Sequence, residues 1–406
     1  MPKIARRAVL SGLAASPLAR PAILRAQSTS RPVRIGLLSD MSGVYRDVGG
    51  PGNRVATELA VADFGGSVLG RPIEIMQADD QDKPDVAAAL AREWVDSQGV
   101  DVLADGAASS SGLAVQQVAR EKKRIYLITG PASSDFTGKQ CSPYGIHFSY
   151  DTYALAHGTG SALTKAGGSS WFFITADYAF GYALERDTMA AVKAAGGTVL
   201  GAVRAPLGTA DYSSYLIQAQ ASGTKVIGLA NAGTDLQNCI KQGAEFGLNK
   251  GGTRVATLLM QITDVNSLGQ KACAGLVYTD SFYWDMSDST RAWSKRYMAR
   301  MTTPPGLLHA GSYCAALHWL KSVKQAGTTD ADAVAAAMKA MPVNDMYNHD
   351  VRIREDGRVM HEMHLWQVKP ASEAKYPYDF CTAVATIPPD EAWRPLNEGG
   401  CPLVKA

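Results

Sequence analysis

Short apolar runs of strand length alternate with amphipathic stretches of helix length from residue 33 to about 260, and that rhythm constrains the fold more than anything else in the sequence. Val33–Ser39 (VRIGLLS) reads as a continuous apolar strand and Gly52–Phe64 as a helix. Ile73–Ala78 is the next strand, and Pro84–Asp96 is a helix opened by proline. Val100–Ala104, Leu113–Glu121 and Arg124–Thr129 repeat the unit. Strands alternating with helices of this length make parallel sheets covered on both faces. The rhythm restarts at Trp171–Thr175 (WFFIT) and runs through Tyr182–Ala195, Thr198–Val203, Tyr212–Ala221, Lys225–Leu229, Leu236–Phe246 and Val255–Leu259.

After Phe282 the pattern changes. Helices dominate Ser289–Met341, and a hairpin-like piece follows around Val351–Val368 with Asp356-Gly357 as its turn. Residues 370–406, with Pro388-Pro389, Pro395 and Pro402, read as an extended strap. The expected architecture is α/β, with two Rossmann-like lobes whose parallel sheets are flanked by helices. Residues 28–150 plus 285–345 form the first lobe and 151–284 plus 346–369 the second. The chain is expected to cross between them near 149–152, 282–286 and 342–350. A chain of 406 residues exceeds what one core usually holds, which agrees with two lobes.

The N-terminus reads as a twin-arginine export signal over residues 1–27. Arg6-Arg7 precede a short apolar run that Pro17, Arg20 and Pro21 keep from spanning a bilayer, and Ala26 offers a cleavage point. The mature protein is then expected outside the cytoplasm, where its six cysteines can pair. Cys239 and Cys314 sit in helical patterns and read as buried thiols. Cys401 is expected to bond Cys141 or Cys381 and anchor the tail. With 46% hydrophobic residues, 19% charged residues and a net charge of +2, the profile is that of a soluble globular protein. No basic cluster speaks for nucleic acid, and no later stretch is long and apolar enough for a membrane span.

In open α/β sheets ligands sit beyond the carboxyl ends of the strands, so the loops there are the candidate site. The first lobe offers Asp40-Met41-Ser42-Gly43-Val44-Tyr45, then Asp105 to Gly112 with Ala108, Ser109 and Ser110, then Gly130 to Asp135 with Ala132 and Ser133. Small, hydroxyl-rich loops ahead of helices serve either as N-caps or as a carboxylate site built from helix N-termini and hydroxyls. The second lobe offers Tyr178 and Phe180, Asn231, Gln261 and Thr263, then Tyr283 and Trp284. Aromatic rings facing a carboxylate-binding wall suit a flat, apolar acid. Tyr45, Tyr153 and Asn231 are candidates for reading ring substituents.

The run Ile35-Gly36-Leu37-Leu38-Ser39-Asp40-Met41-Ser42-Gly43, the Gly-Pro-Gly at 50–52 and Ala78-Asp79-Asp80-Gln81-Asp82-Lys83-Pro84-Asp85 carry a resemblance. They resemble the periplasmic substrate-binding proteins of branched-chain amino acid ABC transporters, the type I periplasmic binding proteins. The likeness extends from about residue 33 to 369. Ser149–Thr159, Thr175–Arg186, Ile227–Ala232 and Phe282–Trp293 resemble a subgroup that captures benzoate, hydroxybenzoate or phenylpropanoid acids. The resemblance implies a three-segment hinge, a ligand trapped by lobe closure and delivery to an inner-membrane ABC permease by a periplasmic monomer. It places carboxylate contacts on Ala108, Ser109, Ala132 and Ser133 and an aromatic contact on Phe180, with Tyr178 beside it. Amino-acid binders put an acid where this chain has Thr263, so the missing acid favours a ligand without an amine. Asp264 is adjacent, and aliphatic amino acids or short fatty acids remain the alternative cargo.

Enzyme chemistry finds no foothold in the sequence. There is no G-x-S-x-G elbow and no phosphate-binding G-x-x-x-x-G-K-[ST] loop. His361-Glu362-Met363-His364 has the wrong spacing for two imidazoles on one metal, and Asp79, Asp80, Asp82 and Asp85 read as a complement to a helix dipole. No catalytic residue, cofactor or metal is expected. A sensor domain shares this kind of fold, and a soluble carrier is expected ahead of it.

Overall fold

The computed structural model describes residues 31–248 and 252–405, so the expected export signal at 1–27 lies outside the described residues. The first sheet contains β1 (Val33–Ser39), β2 (Ser67–Val68), β3 (Arg71–Asp79), β4 (Val102–Asp105), β5 (Ile125–Ile128) and β6 (Gly145–His147). Their spatial order is β2-β3-β1-β4-β5-β6, parallel throughout except for the short edge strand β2. Helices α1 (Gly50–Phe64), α2 (Pro84–Asp96) and α3 (Ser109–Glu121) connect the strands.

β1 shows why its apolar run is continuous. Val33, Ile35 and Leu37 pack in the core that holds Ala56, Leu59 and Ala60 of α1, while Leu38 packs with Ala87, Ala91 and Trp94 of α2. Both faces of the strand are therefore dry. Gly36 is required by this packing, because a Cβ there would stand 2.6 Å from the Trp94 ring.

The chain leaves β6 through 148–151 and enters α4 (Thr152–Leu155), which continues through a π turn at Ala156–Gly160 into α5 (Ser161–Lys165). The second sheet is built from β7 (Ser170–Ala176), β8 (Thr198–Ala205), β9 (Val226–Ala230) and β10 (Arg254–Thr257), in the order β10-β9-β7-β8 and parallel throughout. Its connections are α6 (Ala179–Ala194), α7 (Ser213–Ala221) and α8 (Gly233–Glu245), followed by α9 (Ile262–Leu268) and α10 (Gln270–Cys273). From β11 (Val277–Asp280) the chain returns to the first sheet's side with α11 (Asp288–Met301), α12 (Leu307–Ala326) and α13 (Ala331–Ala340). Leu307–Leu320 of α12 is buried at every position, since it is packed between α1 and α13.

The last third departs from expectation in two ways. Asp356-Gly357 does form a tight turn, with Ile353 opposite Val359 and Gly357 N–H donating to Arg354 O at 2.9 Å. Its second arm, however, ends beside His147 at the edge of the first sheet, and 363–368 does not pair back on it. Instead β12 (Met363–Val368) lies between β11 and β13 (Cys381–Ile387) in an antiparallel third sheet. The third passage between the sheets therefore falls at 360–362, later than the expected 342–350. The tail is likewise more than a strap, since β13 closes that sheet before the chain returns to Cys141. The Cys141–Cys401 disulfide joins residues 260 apart in sequence, while Cys239, Cys273, Cys314 and Cys381 are buried thiols.

The three passages are stitched to one another. Ser281 Oγ donates to Ser149 O at 3.0 Å, and His361 Nε2 bonds Phe148 O at 2.6 Å. Arg358 is fully buried, with its guanidinium donating to Tyr150 O at 2.9 Å and to His147 O. It lies 3.5 Å from the Asp151 carboxylate and 4.2 Å from the Trp393 ring. Arg358→Met leaves the Asp151 charge and these carbonyls without their donor, and should cost about 3–5 kcal/mol in chemical denaturation. Cys401→Ser releases the tail and should cost about 2–4 kcal/mol, with reductant lowering the Tm of the parent protein to match.

Candidate ligand-binding site

One pocket gathers residues from the loops after β1, β4, β5, β6, β7, β9 and β10. This is where ligands sit in open α/β sheets. On the first sheet's side the wall is backbone and small side chains: Ala107, Gly130 and Ala132. These loops touch closely, and a Cβ on Gly130 would fall 1.9 Å from Gly106 O. Ser109 Oγ accepts from the Ala132 and Ser133 N–H groups at 3.1 Å each, and Tyr150 Oη donates to Gly130 O at 2.7 Å. The loops are thus held by their own hydrogen bonds.

Three helices begin at the pocket, α3 on the first sheet's side and α6 and α8 on the second's. The N-cap residues of α3, α6 and α8 are Ala108, Tyr178 and Ala232, and none makes a side-chain cap bond. First-turn N–H groups left without side-chain acceptors carry the positive end of the helix dipole toward the pocket, an arrangement suited to an anion.

Aromatic and aliphatic groups complete the wall: Tyr45, Tyr150, Tyr178 and Phe180 with Val48, Leu259 and Leu308. The Tyr45 and Tyr178 hydroxyls bond each other between the two sheets, and burial pushes both phenols well above their usual pKa, so they stay neutral. A second tie lies beside them, where Val44 O accepts from Thr234 N–H at 3.2 Å and from its hydroxyl at 3.0 Å.

No Asp, Glu, Lys or Arg lines the pocket among the described residues. The acids in these loops have other work. Asp40 accepts from the Ser42, Gly43 and Tyr45 N–H groups and shapes the turn that presents Tyr45. Asp264 accepts from Gln261 N–H and Gln237 Nε2 at 2.9 Å each, and burial raises its pKa to about 6. Asp235 accepts from Gly208 N–H at 3.1 Å, and burial raises its pKa to about 6 as well.

Of the residues singled out by sequence, Tyr45, Ala132, Tyr178, Phe180 and Gln261 stand on the wall, and Ala108 and Ser109 start the helix behind it. The others are placed elsewhere, each for a visible reason. Ser42 is exposed and donates to Asp79 at 2.7 Å. Ser110 is half-buried in the first turn of α3, and Ser133 Oγ caps the Asp135 N–H at 3.3 Å. Tyr153 stacks on His157 with ring centroids 4.0 Å apart, and Asn231 Nδ2 donates to Cys239 Sγ. Thr263 faces a separate hollow shared with Arg46 and His309. Tyr283 Oη and Trp284 Nε1 both donate to Tyr378 O, at 2.9 and 3.0 Å, so these rings grip the tail and not the pocket.

Sequence reasoning missed Val48, Ala107, Gly130, Tyr150, Ala232, Leu259 and Leu308. Ala107, Gly130 and Ala232 lay in the right loops but carry no side-chain chemistry to attract notice. Leu308 arrives from α12, far away in sequence.

The sequence pattern of the periplasmic binding protein family matches residues 32–375. The chain belongs to that family. This binding protein is similar to a crystallised periplasmic binding protein from Burkholderia mallei, with 49% identity over 92% of this chain and 99% of that one and a TM-score of 0.90. It is also similar to a branched chain amino acid ABC transporter periplasmic ligand-binding protein from Burkholderia xenovorans, with 38% identity, 91% and 99% coverage and a TM-score of 0.81. A relative from Brucella melitensis, a Leu/Ile/Val-binding protein homolog, is 26% identical over 59% of this chain. The match spans 62% of that relative's length. The fold is that of type I periplasmic binding proteins, with parallel sheets flanked by helices and joined by three passages. No described helix is long and apolar enough to cross a membrane, and no described His, Cys, Asp and Glu cluster has a geometry that holds a metal.

Tyr45→Phe and Tyr178→Phe should each cost about 1 kcal/mol by stranding the other hydroxyl, and the double variant should cost less than the sum. Chemical denaturation of the four proteins in the cycle measures that coupling.

Proposed function

We propose that this binding protein captures an aromatic carboxylate outside the cytoplasm and passes it to an ABC permease without changing it chemically. The observation that carries this reading is the composition of the pocket wall: four aromatic rings and three helix N-termini without side-chain caps, with no charged side chain among the described residues. The carboxylate lies against the N-terminus of α3 and the loops of Ala107, Gly130 and Ala132. The ring lies among Tyr45, Tyr150, Tyr178 and Phe180.

The energetics are adequate. Charge-assisted hydrogen bonds contribute about 1.5–3 kcal/mol each, and burial of a ring adds about 2–3 kcal/mol. Two or three such bonds and the ring, less the entropy of association, reach micromolar affinity or better. The Tyr45–Tyr178 and Val44–Thr234 ties then belong to the closed state, in which the two sheets' loops meet over the ligand. Ligand entry requires these ties to break, while the passages at 148–151, 281–287 and 360–362 bend.

A second reading, an aliphatic amino acid, is favoured by the names of the Brucella melitensis and Burkholderia xenovorans relatives. It asks the pocket to bury an ammonium without a carboxylate partner, at a cost of several kcal/mol. A thermal-shift screen separates the two. Benzoate-type acids should raise the Tm by several degrees at millimolar concentration, and leucine should leave it unchanged. Stabilisation by leucine with none by any aromatic acid reverses the assignment.

A further inference from the structure

Four polar side chains stand on the pocket wall among the described residues: Tyr45, Tyr150, Tyr178 and Gln261. Three of them are committed within the protein. Tyr45 and Tyr178 bond each other, and Tyr150 donates to Gly130 O. Gln261 differs. It is 2% exposed, and its Oε1 is buried with no hydrogen-bond partner among the described residues.

The position of Gln261 is fixed by its backbone. Its N–H donates to Asp264 Oδ2 at 2.9 Å, and its carbonyl accepts from Asp264 N–H at 3.0 Å. Gln237 Nε2 holds the other oxygen of Asp264 at 2.9 Å. The carboxamide is thus planted at the start of α9, on the second sheet's side of a pocket whose other wall presents Ala107, Gly130 and Ala132, with Oε1 close to Gly306 ahead of α12. A buried amide without a partner is unfavourable, and native interiors rarely leave one so.

The geometry points to Gln261 as the reader of a hydroxyl on the ligand's ring, which makes the cargo a hydroxylated aromatic acid. This inference rests on the aromatic-carboxylate reading above. With the carboxylate against the loops of the first sheet, the far side of the ring meets Gln261. A hydroxyl both donates and accepts, so it pairs with the carboxamide whichever of Oε1 and Nε2 faces it. It is neutral and needs no counter-charge. An ammonium brings three donors and a charge, which one neutral acceptor cannot satisfy. A pocket with a buried hydrogen-bonding group also discriminates strongly against the analogue that lacks the matching hydroxyl, because its own polar group is then left unpaired.

Titration calorimetry with benzoate, 3-hydroxybenzoate and 4-hydroxybenzoate tests this on the full protein. At least one hydroxylated acid should bind at least about tenfold more tightly than benzoate. Gln261→Leu should bring that ratio to within about twofold while keeping or tightening benzoate binding. Gln261→Met serves as the second apolar variant, with Tm measured on both to confirm folding. Benzoate binding as tightly as both hydroxylated acids in the parent protein overturns the inference and leaves the aromatic-acid reading standing. So does a preference that survives unchanged in the folded apolar variants. Failure of all three acids to bind sinks the aromatic-acid reading and this inference with it.

Discussion

A single buried cation organises the junction between the sheets. Arg358 sits at the edge of the first sheet with no exposed surface, and burial lowers its pKa to about 10, so it remains charged. Desolvating a guanidinium is costly unless its donors are used. Here they reach carbonyls of His147 and Tyr150, while the charge faces Asp151 and the ring of Trp393. Those partners come from the end of β6, the first passage and the tail. Asp151 in turn accepts from Ala154 N–H at 2.9 Å and starts α4. One side chain therefore sets where the chain leaves the first sheet, where the next helix begins and where the tail passes.

The pocket depends on that junction because it is assembled from two sheets that share no strand. Its recognition surface is largely backbone. Alanine at 108 and 232 leaves the N-termini of α3 and α8 without a side-chain cap, where a serine or aspartate would have bound them internally. Serine does appear here, but in support. Ser109 ties two loops together, and Ser133 caps the short turn behind Ala132. What the site offers an anion is dipole and geometry, with no permanent charge.

Strands and helices were legible in the sequence where periodicity is strong. β1 and α2 fall on the expected residues, and the alternation gave the parallel sheets. The last third was harder because its pairing is non-local. Met363–Val368 looks like the arm of a hairpin, yet its partners are Val277–Asp280 and Cys381–Ile387. At the site, residues chosen for conspicuous chemistry were often spent on the fold. Tyr283 and Trp284 carry the right rings, but Tyr378 O claims both of their donors. Tyr45, Tyr178 and Phe180 were identifiable because they follow strand ends directly. Tyr150 was not, since nothing local marks that its ring turns into the cleft.

The disulfide has a consequence for how a finished molecule is recognised. Its two sulfurs come from residues 260 apart, and the later one lies close to the end of the chain. Ribosomal synthesis therefore delivers Cys141 long before its partner, together with other buried cysteines that are not meant to pair with it. A molecule lacking the segment that carries Cys401 would retain a free thiol at Cys141, so alkylation at that one position reports whether the tail is tied.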